Sequence, residues 1–146
     1  AFLLNRSSDL QGSKRMSTKT YHLPVQVYYE DTDHSGVVYH ANYLKYFERA
    51  REGVIGPAAL VALWKEQGLG FAVYKAEINY LDGAEFGDTL NIVSTVRKDS
   101  DYRLVWQQEA WRPGAAKAAV RAEIHLVCVD RAKNLKPIPD VGLDFN

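Results

Sequence analysis

The chain has little cysteine, no net charge and no long hydrophobic run. Its one thiol, Cys128, excludes an internal disulfide, and its apolar surroundings suit a small buried hydrophobe in a reducing compartment such as the cytoplasm. The longest mostly apolar segments, such as residues 57–64, are far shorter than the roughly 20 residues that cross a bilayer. The sequence therefore predicts neither a disulfide-stabilised scaffold nor a transmembrane helix, and we expect a cytoplasmic protein.

The 18 basic and 18 acidic side chains cancel, so no overall positive field marks a nucleic-acid partner. At 146 residues with 47% hydrophobic side chains, the chain is long enough for one proper core. Residues 1–15 mix a brief apolar start with serine, glycine and charge, and we expect them to form an appended or disordered tail. Residues 16–146 are predicted to form a single domain.

The first half of that domain predicts one strand followed by helices. Residues 21–29 are rich in β-branched and aromatic side chains and predict a strand, whereas residues 30–36 are dense in turn formers and acids and predict a loop. From Asn42 to Gly56, apolar side chains recur at helical spacing: Tyr43, Tyr46, Phe47, Ala50 and Val54. A second, shorter helix is predicted over residues 57–68.

After Gly70 the sequence becomes β-rich, and four further strands are predicted in residues 71–83, 88–100, 101–114 and 117–130. The turns at residues 82–83, 99–101 and 113–114 predict antiparallel hairpins between neighbouring strands. This order is an α+β arrangement that resembles the hotdog fold, in which a curved antiparallel sheet of about five strands wraps around a long central helix.

Residues 28–46, YYEDTDHSGVVYHANYLKY, carry three carboxylates and two imidazoles in a loop that ends at a helix N-terminus. The free N–H groups of a first helical turn, together with the helix dipole, stabilise an oxygen that gains negative charge. A carboxylate beside them, such as Asp33, can attack a carbonyl carbon directly or deprotonate a water molecule that attacks it. The sequence leaves both routes open.

The same acids have a simpler interpretation. Carboxylates before a helix often cap its N–H groups and complement its dipole, and Gly36 is an ordinary turn residue. On composition alone, helix capping is the more common role.

The segment YEDTDHSGVVYHANYLKYFERAR, residues 29–51, is similar to the signature of the YbgC-like and 4-hydroxybenzoyl-CoA thioesterases. The similarity continues more loosely over residues 21–139. This resemblance implies a hotdog fold, hydrolysis of an acyl-CoA to the free acid and CoA, and neither a metal nor a redox cofactor. It also implies a homodimer or homotetramer whose active sites form between subunits.

The resemblance assigns roles to individual residues. The second aspartate of the motif, Asp33, corresponds to the catalytic carboxylate, and His40 corresponds to the residue whose backbone amide binds the thioester carbonyl oxygen. Tyr39 and Asn42 are candidate substrate-binding residues that pack beside the site or hold its loop. Asp31 is expected to shape the turn.

Other interpretations remain open at this point. A second hotdog lineage places its carboxylate in the middle of the central helix, where this chain has Glu48. Asp33 and His40 would also suit an acyl-thioester dehydratase or hydratase, which uses an Asp–His pair, and a noncatalytic acyl-thioester binding module is a further alternative. The sequence does not choose the acyl group, or CoA over an acyl carrier protein.

Overall fold

The computed structural model describes residues 15–16 and 19–145. Its helices are α1, Asn42–Ile55, and α2, Pro57–Ala62, which continues into a π-helical turn at Leu63–Gln67. Its strands are β1, Arg15–Met16; β2, Tyr21–Gln26; β3, Gly70–Tyr80; β4, Thr89–Ser100; β5, Arg103–Trp111; β6, Val120–Val129; and β7, Leu135–Lys136. No helix among the described residues is long and apolar enough to span a membrane.

Over the described residues, the strands form one antiparallel sheet of seven strands in the order β1-β4-β5-β6-β3. Strand β2 also pairs with β4, and the two-residue strand β7 pairs with β6. Five of these strands are long, so the predicted sheet of about five strands is confirmed. The predicted tail falls largely outside the described residues and stays a prediction.

The predicted hairpins at residues 99–101 and 113–114 are confirmed, since β4 pairs with β5 and β5 with β6. The predicted hairpin at residues 82–83 is wrong. β3 pairs along its length with β6, so residues 81–88 form a crossover loop between the two sides of the sheet. Its start is held by Ala119, whose carbonyl oxygen accepts the N–H groups of Leu81 and Asp82 at 2.7 and 3.0 Å.

The first long strand ends at Gln26, three residues earlier than predicted, and Tyr29–Asp31 forms a 3-10 turn. The cause is local. The carboxylate of Asp31 accepts the N–H of Tyr28 at 2.8 Å, and the N–H of Asp31 returns to the Tyr28 carbonyl oxygen at 3.0 Å. These bonds replace the sheet pairing that the aromatic side chains alone would favour.

Helix α1 packs its apolar stripe against the inner face of the sheet. Four of the five predicted positions are buried, namely Tyr43, Tyr46, Phe47 and Ala50, and the fifth, Val54, packs partly buried against them. Burial of one such large side chain stabilises the fold by about 1.5–3 kcal/mol, so this stripe fixes which face of α1 points inward.

A buried polar contact joins α1 to the sheet within this apolar layer. Gln108 on β5 donates to the carbonyl oxygen of Phe47 at 3.0 Å and to the hydroxyl of Ser94 at 2.9 Å. Its own carbonyl oxygen accepts a bond of 2.9 Å from the guanidinium of Arg51, which is 6% exposed. Hydrogen bonds of this kind have strict directions, so the contact sets the position of α1 over the sheet.

Candidate active site

The acidic loop folds into a small hairpin that displays Asp33 at its tip. Thr32 pairs with Val38, the N–H of Asp33 donates to the Val37 carbonyl oxygen at 2.8 Å, and the N–H of Gly36 donates to the Asp33 carbonyl oxygen at 3.0 Å. Gly36 has a φ of 87°, a conformation that side chains with a Cβ rarely adopt. The hairpin therefore fixes the backbone on both sides of Asp33.

One oxygen of the Asp33 carboxylate is held by Ser35. Oδ1 accepts the backbone N–H of Ser35 at 2.8 Å and its hydroxyl at 2.7 Å. The bonds from Ser35 lower the pKa of Asp33 below its ordinary value, the hydroxyl contributing most. The backbone of Val37 adds a smaller stabilisation of the charged carboxylate, and the side chain is exposed. The side chain is thus an ionised carboxylate with Oδ1 held by Ser35.

The N-terminus of α1 offers backbone donors. The residue before the helix, Ala41, provides no side-chain cap, and the Tyr39 carbonyl oxygen accepts the N–H of Asn42 at 2.8 Å. Within the described part of the chain, the N–H groups of His40 and Ala41 have no acceptor. No side chain caps α1, so the predicted capping bond from these acids is not formed there, and the Asp31 carboxylate caps the preceding 3-10 turn instead. These N–H groups are suited to bind an oxygen that gains negative charge.

Asp31 organises the start of the helix through its backbone. Its carbonyl oxygen accepts the side-chain amide of Asn42 and the N–H of Tyr39, both at 2.9 Å. Asn42 therefore holds the loop through its amide, one of the two roles foreseen for it. Tyr39 is half exposed, with its ring 4.5 Å from the ring of His40. The predicted role of both residues in binding substrate stays a prediction.

His40 is fixed by a residue on β3. The hydroxyl of Tyr80 donates to the His40 carbonyl oxygen at 3.0 Å, and the rings of the two residues meet edge to face at 6.0 Å. Burial raises the pKa of Tyr80, which keeps its hydroxyl a donor. The exposed imidazole of His40 makes no hydrogen bond to Asp33 in the described structure, so the Asp–His pair of a dehydratase is not formed within the chain.

The crossover loop, residues 81–88, is bonded through its backbone to the hairpin that carries Asp33. The N–H of Val38 donates to the Ala84 carbonyl oxygen at 2.9 Å, and Val37 pairs with Glu85. Space there is tight, because a Cβ on Gly83 would lie 2.6 Å from the Val37 Cγ1.

Arg112, on the far side of this loop, forms ion pairs with three acidic residues of the loop. Its Nε donates to Asp88 at 2.8 Å, and its other nitrogens lie 3.4 Å from Asp82 and 3.7 Å from Glu85. The bond to Asp88 is the main reason that the pKa of Arg112 is raised. One guanidinium therefore holds three points of the loop on which the Asp33 hairpin rests.

The sequence did not predict the roles of Ser35, Tyr80 and Arg112. A serine two residues after an aspartate is a recognisable local turn signal, so Ser35 was accessible from the sequence. Tyr80 and Arg112 lie 40 and 79 positions from His40 and Asp33 respectively. Their contacts depend on the fold, and no local pattern marks them.

Glu48 lies elsewhere and has a different partner. Its side chain is 64% exposed and forms an ion pair of 2.8 Å with the buried Arg51. Both residues line a cavity of about 280 Å³ between the C-terminal half of α1, α2 and the sheet. Glu48 therefore balances the charge of Arg51, a residue one turn along the same helix.

Comparison with known proteins agrees with this geometry. A family model described as the thioesterase-like superfamily matches residues 27–144. A crystal structure of a 1,4-dihydroxy-2-naphthoyl-CoA thioesterase from Synechocystis superimposes with a TM-score of 0.76 at 26% identity, covering 84% of this chain and 92% of that one. The molecule is a hotdog-fold member of the thioesterase-like superfamily, and the predicted fold is confirmed.

Relatives of known family place the chain in a smaller group within this superfamily. The acyl-CoA thioesterase YbgC of Haemophilus influenzae is 36% identical over 81% of this chain and 86% of its own length. The acyl-CoA thioester hydrolase YbgC of Escherichia coli O6:H1 is also 36% identical, over 84% and 90%. The chain belongs to the YbgC-like acyl-CoA thioesterases, as the sequence motif predicted.

Proposed function

We propose that the protein hydrolyses acyl-CoA thioesters to the free acid and CoA, with Asp33 as the reacting carboxylate. The observation that carries this proposal is an exposed, ionised Asp33 with Oδ1 held by Ser35, displayed in the loop that leads to a helix N-terminus with unpaired N–H groups. An acyl thioester needs both parts, a nucleophile or base and a site for the developing oxyanion.

The N–H groups at the start of α1, near His40, would bind the thioester carbonyl oxygen. The carbonyl carbon is then attacked either by Oδ2 of Asp33 or by a water molecule that gives its proton to Oδ2. In the first route an acyl-aspartyl anhydride forms, the CoA thiolate leaves, and water later releases the acid. In the second route, water adds directly, the C–S bond breaks, and the proton passes from Asp33 to the thiolate.

The site also suits completion by a second copy of the chain. Asp33 is exposed within one protomer, and β3 has one edge free among the described residues. Exposed apolar side chains lie on and just after this strand: Val73, Tyr74, Tyr80 and Leu81. An open edge with such side chains favours pairing with an identical strand, so we expect a homodimer, or a tetramer built from it.

Thiol release from a panel of acyl-CoAs tests the proposal. The panel contains short-chain, long-chain and aromatic acyl groups, the last because the Synechocystis relative is a 1,4-dihydroxy-2-naphthoyl-CoA thioesterase. We expect wild-type turnover and a loss of about 100-fold or more in kcat for Asp33→Asn, which keeps the shape but removes the charge. Glu48→Gln is the matched control and should keep most of the activity.

Either of two results would refute the assignment: no thiol release from any CoA thioester, or full activity in Asp33→Asn. If Glu48→Gln alone loses activity, the catalytic carboxylate lies on the central helix instead. Mass spectrometry after a single turnover in H₂¹⁸O tests the covalent route, because ¹⁸O in Asp33 requires hydrolysis of an anhydride at the aspartyl carbonyl, whereas direct attack of water places ¹⁸O only in the released acid.

A further inference from the structure

The cavity beside Arg51 has no role in the chemistry described above. It holds about 280 Å³, and its walls come mainly from apolar side chains of the two helices and the sheet: Ile55, Leu60, Leu63, Phe71, Trp106 and Leu126. An open, mostly apolar pocket of this kind is a common site for an apolar group of a ligand. Leu60 and Phe71 remain partly exposed, so the space is not sealed by the fold.

One face of α1 connects the proposed oxyanion site to this cavity. Ala41, Leu44, Glu48 and Ile55 follow one another at spacings of three, four and seven residues, so they form a single stripe along the helix. Leu44 is 45% exposed although it is apolar. The last two residues of the stripe line the cavity. An apolar chain lying along this stripe would cover Leu44 and reach the cavity beside Glu48.

The length of the stripe determines which acyl groups can reach the cavity. A helix rises by about 1.5 Å per residue, so Glu48 lies roughly 10 Å beyond Ala41 and Ile55 roughly 20 Å beyond it. An extended chain advances by about 1.2 Å per bond. An acyl chain of about eight carbons therefore ends at the mouth of the cavity, and one of about 12–16 carbons extends into it. A single aromatic ring or a short acyl group does not reach it.

The charges at the cavity indicate an apolar chain end. Arg51 is buried, but its guanidinium already donates to Gln108 and to Glu48. Glu52 also lines the space, so the three ionisable groups there carry one positive and two negative charges. A terminal carboxylate would add to this negative excess, because the positive charge of Arg51 is already paired with Glu48. The aliphatic stem of Arg51 can pack against a methylene chain.

We propose that this cavity, the Arg51 cavity, binds the distal part of a linear, uncharged acyl chain and so sets a preference for long-chain substrates. The proposal rests on the proposed thioesterase function and adds the substrate class. Each methylene that enters the cavity should raise kcat/KM by roughly fourfold until the space is filled. The rise should begin near eight carbons.

A chain-length series of saturated acyl-CoAs from C4 to C16 tests this. Leu60→Trp fills the cavity from α2, whereas Val61→Trp places the same bulk on the next residue, which is 51% exposed and does not line it. We expect the C14-to-C4 ratio of kcat/KM to fall by at least tenfold in Leu60→Trp and to stay within twofold in Val61→Trp. Leu60→Ala, which widens the cavity, should move the optimum to longer chains.

Binding of S-hexadecyl-CoA, a thioether that cannot be hydrolysed, provides a measurement that does not depend on turnover. We expect it to change the fluorescence of Trp64 and Trp106, which line the cavity, and to bind at least tenfold more weakly to Leu60→Trp than to Val61→Trp. If the thioether binds in this way but no acyl-CoA is hydrolysed, the proposed function fails and the binding site stands.

If hydrolysis occurs with an unchanged chain-length profile in Leu60→Trp and Leu60→Ala, the cavity proposal is wrong and the catalytic proposal is untouched. A C16 substrate with a terminal carboxylate that matches palmitoyl-CoA in kcat/KM would likewise overturn the expected preference for an uncharged chain end. Equal binding of the thioether to Leu60→Trp and Val61→Trp would overturn the site itself.

Discussion

The hydroxyl of Tyr80 donates a hydrogen bond of 3.0 Å to the carbonyl oxygen of His40, and this bond joins the free-edged strand β3 to the start of the central helix. The carbonyl belongs to the same peptide group as the N–H of Ala41, one of the donors without an acceptor among the described residues. A bond to the oxygen of a peptide polarises its N–H and fixes its plane. Tyr80 thereby holds the proposed oxyanion site from the sheet.

Tyr80→Phe should lower kcat while KM changes little. The substitution removes only the hydroxyl, so the ring contacts with His40 and Tyr43 remain. Loss of one hydrogen bond of about 0.5–1.5 kcal/mol predicts a decrease in kcat of roughly threefold to tenfold. Steady-state kinetics on one good acyl-CoA measures it, and Tyr102→Phe, an exposed tyrosine in the β4–β5 turn, is the control. An unchanged kcat would show that the Tyr80 hydroxyl has no positioning role.

The pKa of Asp33 should lie below its ordinary value and should rise in Ser35→Ala. The hydroxyl of Ser35 stabilises the charged form, so the carboxylate remains ionised as the pH falls until it reaches this lowered pKa. Without the hydroxyl, protonation begins at a higher pH. A ¹³C NMR titration of the side-chain carboxyl groups measures both values. Asp130, whose pKa is lowered by the N–H groups of Asn134 and Ala132, serves as an internal reference that should not move.

If Ser35→Ala leaves the titration of Asp33 unchanged, the hydrogen bond to Oδ1 is not what keeps this side chain ionised. Ser35→Ala retains Asp33, but its carboxylate is oriented less firmly without the bond from the Ser35 hydroxyl. We therefore expect a decrease in kcat of about tenfold at neutral pH, where Asp33 is ionised in both proteins.

Arg112→Met should reduce activity through the crossover loop. The guanidinium holds Asp82, Glu85 and Asp88, and the loop between them supports Val37 and Val38 in the Asp33 hairpin. Small displacements of a reacting group are costly, so we expect kcat to fall by about tenfold. Arg112→Lys, which keeps one charge, should retain more activity.

Arg121→Met is the matched control for this prediction. Arg121 also lies at the sheet surface, and its ion pair among the described residues is with Glu109, at 3.2 Å, rather than with an acid of the crossover loop. Salt gives a second test, since it screens partly exposed ion pairs. Wild-type kcat should decrease between low and high ionic strength, and kcat of Arg112→Met should not. Parallel salt curves for the two proteins would contradict the proposed support of the hairpin by Arg112.

The sequence was sufficient where a single periodic pattern determined the structure. The apolar spacing from Tyr43 to Ala50 predicted the buried face of α1, and the β-rich segments after Gly70 predicted the four long strands β3 to β6. The hairpin at residues 82–83 was wrong because an Asp-Gly turn specifies a local bend and not the partner of the strand before it. In this chain the partner of β3 lies 40 residues further on, and only packing of the whole sheet selects it.

In the candidate site, too, some residues could be identified from local sequence patterns and others could not. Asp33 was found because its motif is contiguous, and Ser35 was within reach of a local turn rule. The contacts of Tyr80 and Arg112 and the Arg51 cavity arise when separate elements meet in the fold. Helical spacing places a residue on a face. It does not show that the side chain of Gln108, on strand β5, will accept a hydrogen bond from Arg51 on that face.

That contact leads to a prediction of stability. Gln108→Leu keeps the approximate volume but leaves Arg51, Ser94 and the Phe47 carbonyl oxygen without their shared partner in the core. Burial already lowers the pKa of Arg51, which means that its charged form depends on the bonds it makes. Because an uncompensated buried charge and unsatisfied polar groups are costly, we expect the free energy of unfolding to fall by about 2–4 kcal/mol.

Urea unfolding measures this loss. The neighbouring Gln107 points to the opposite face and bonds to Glu123, so Gln107→Leu should change the midpoint little. Equal midpoints for the two variants would mean that the core tolerates Arg51 without Gln108, and that apolar packing alone positions α1.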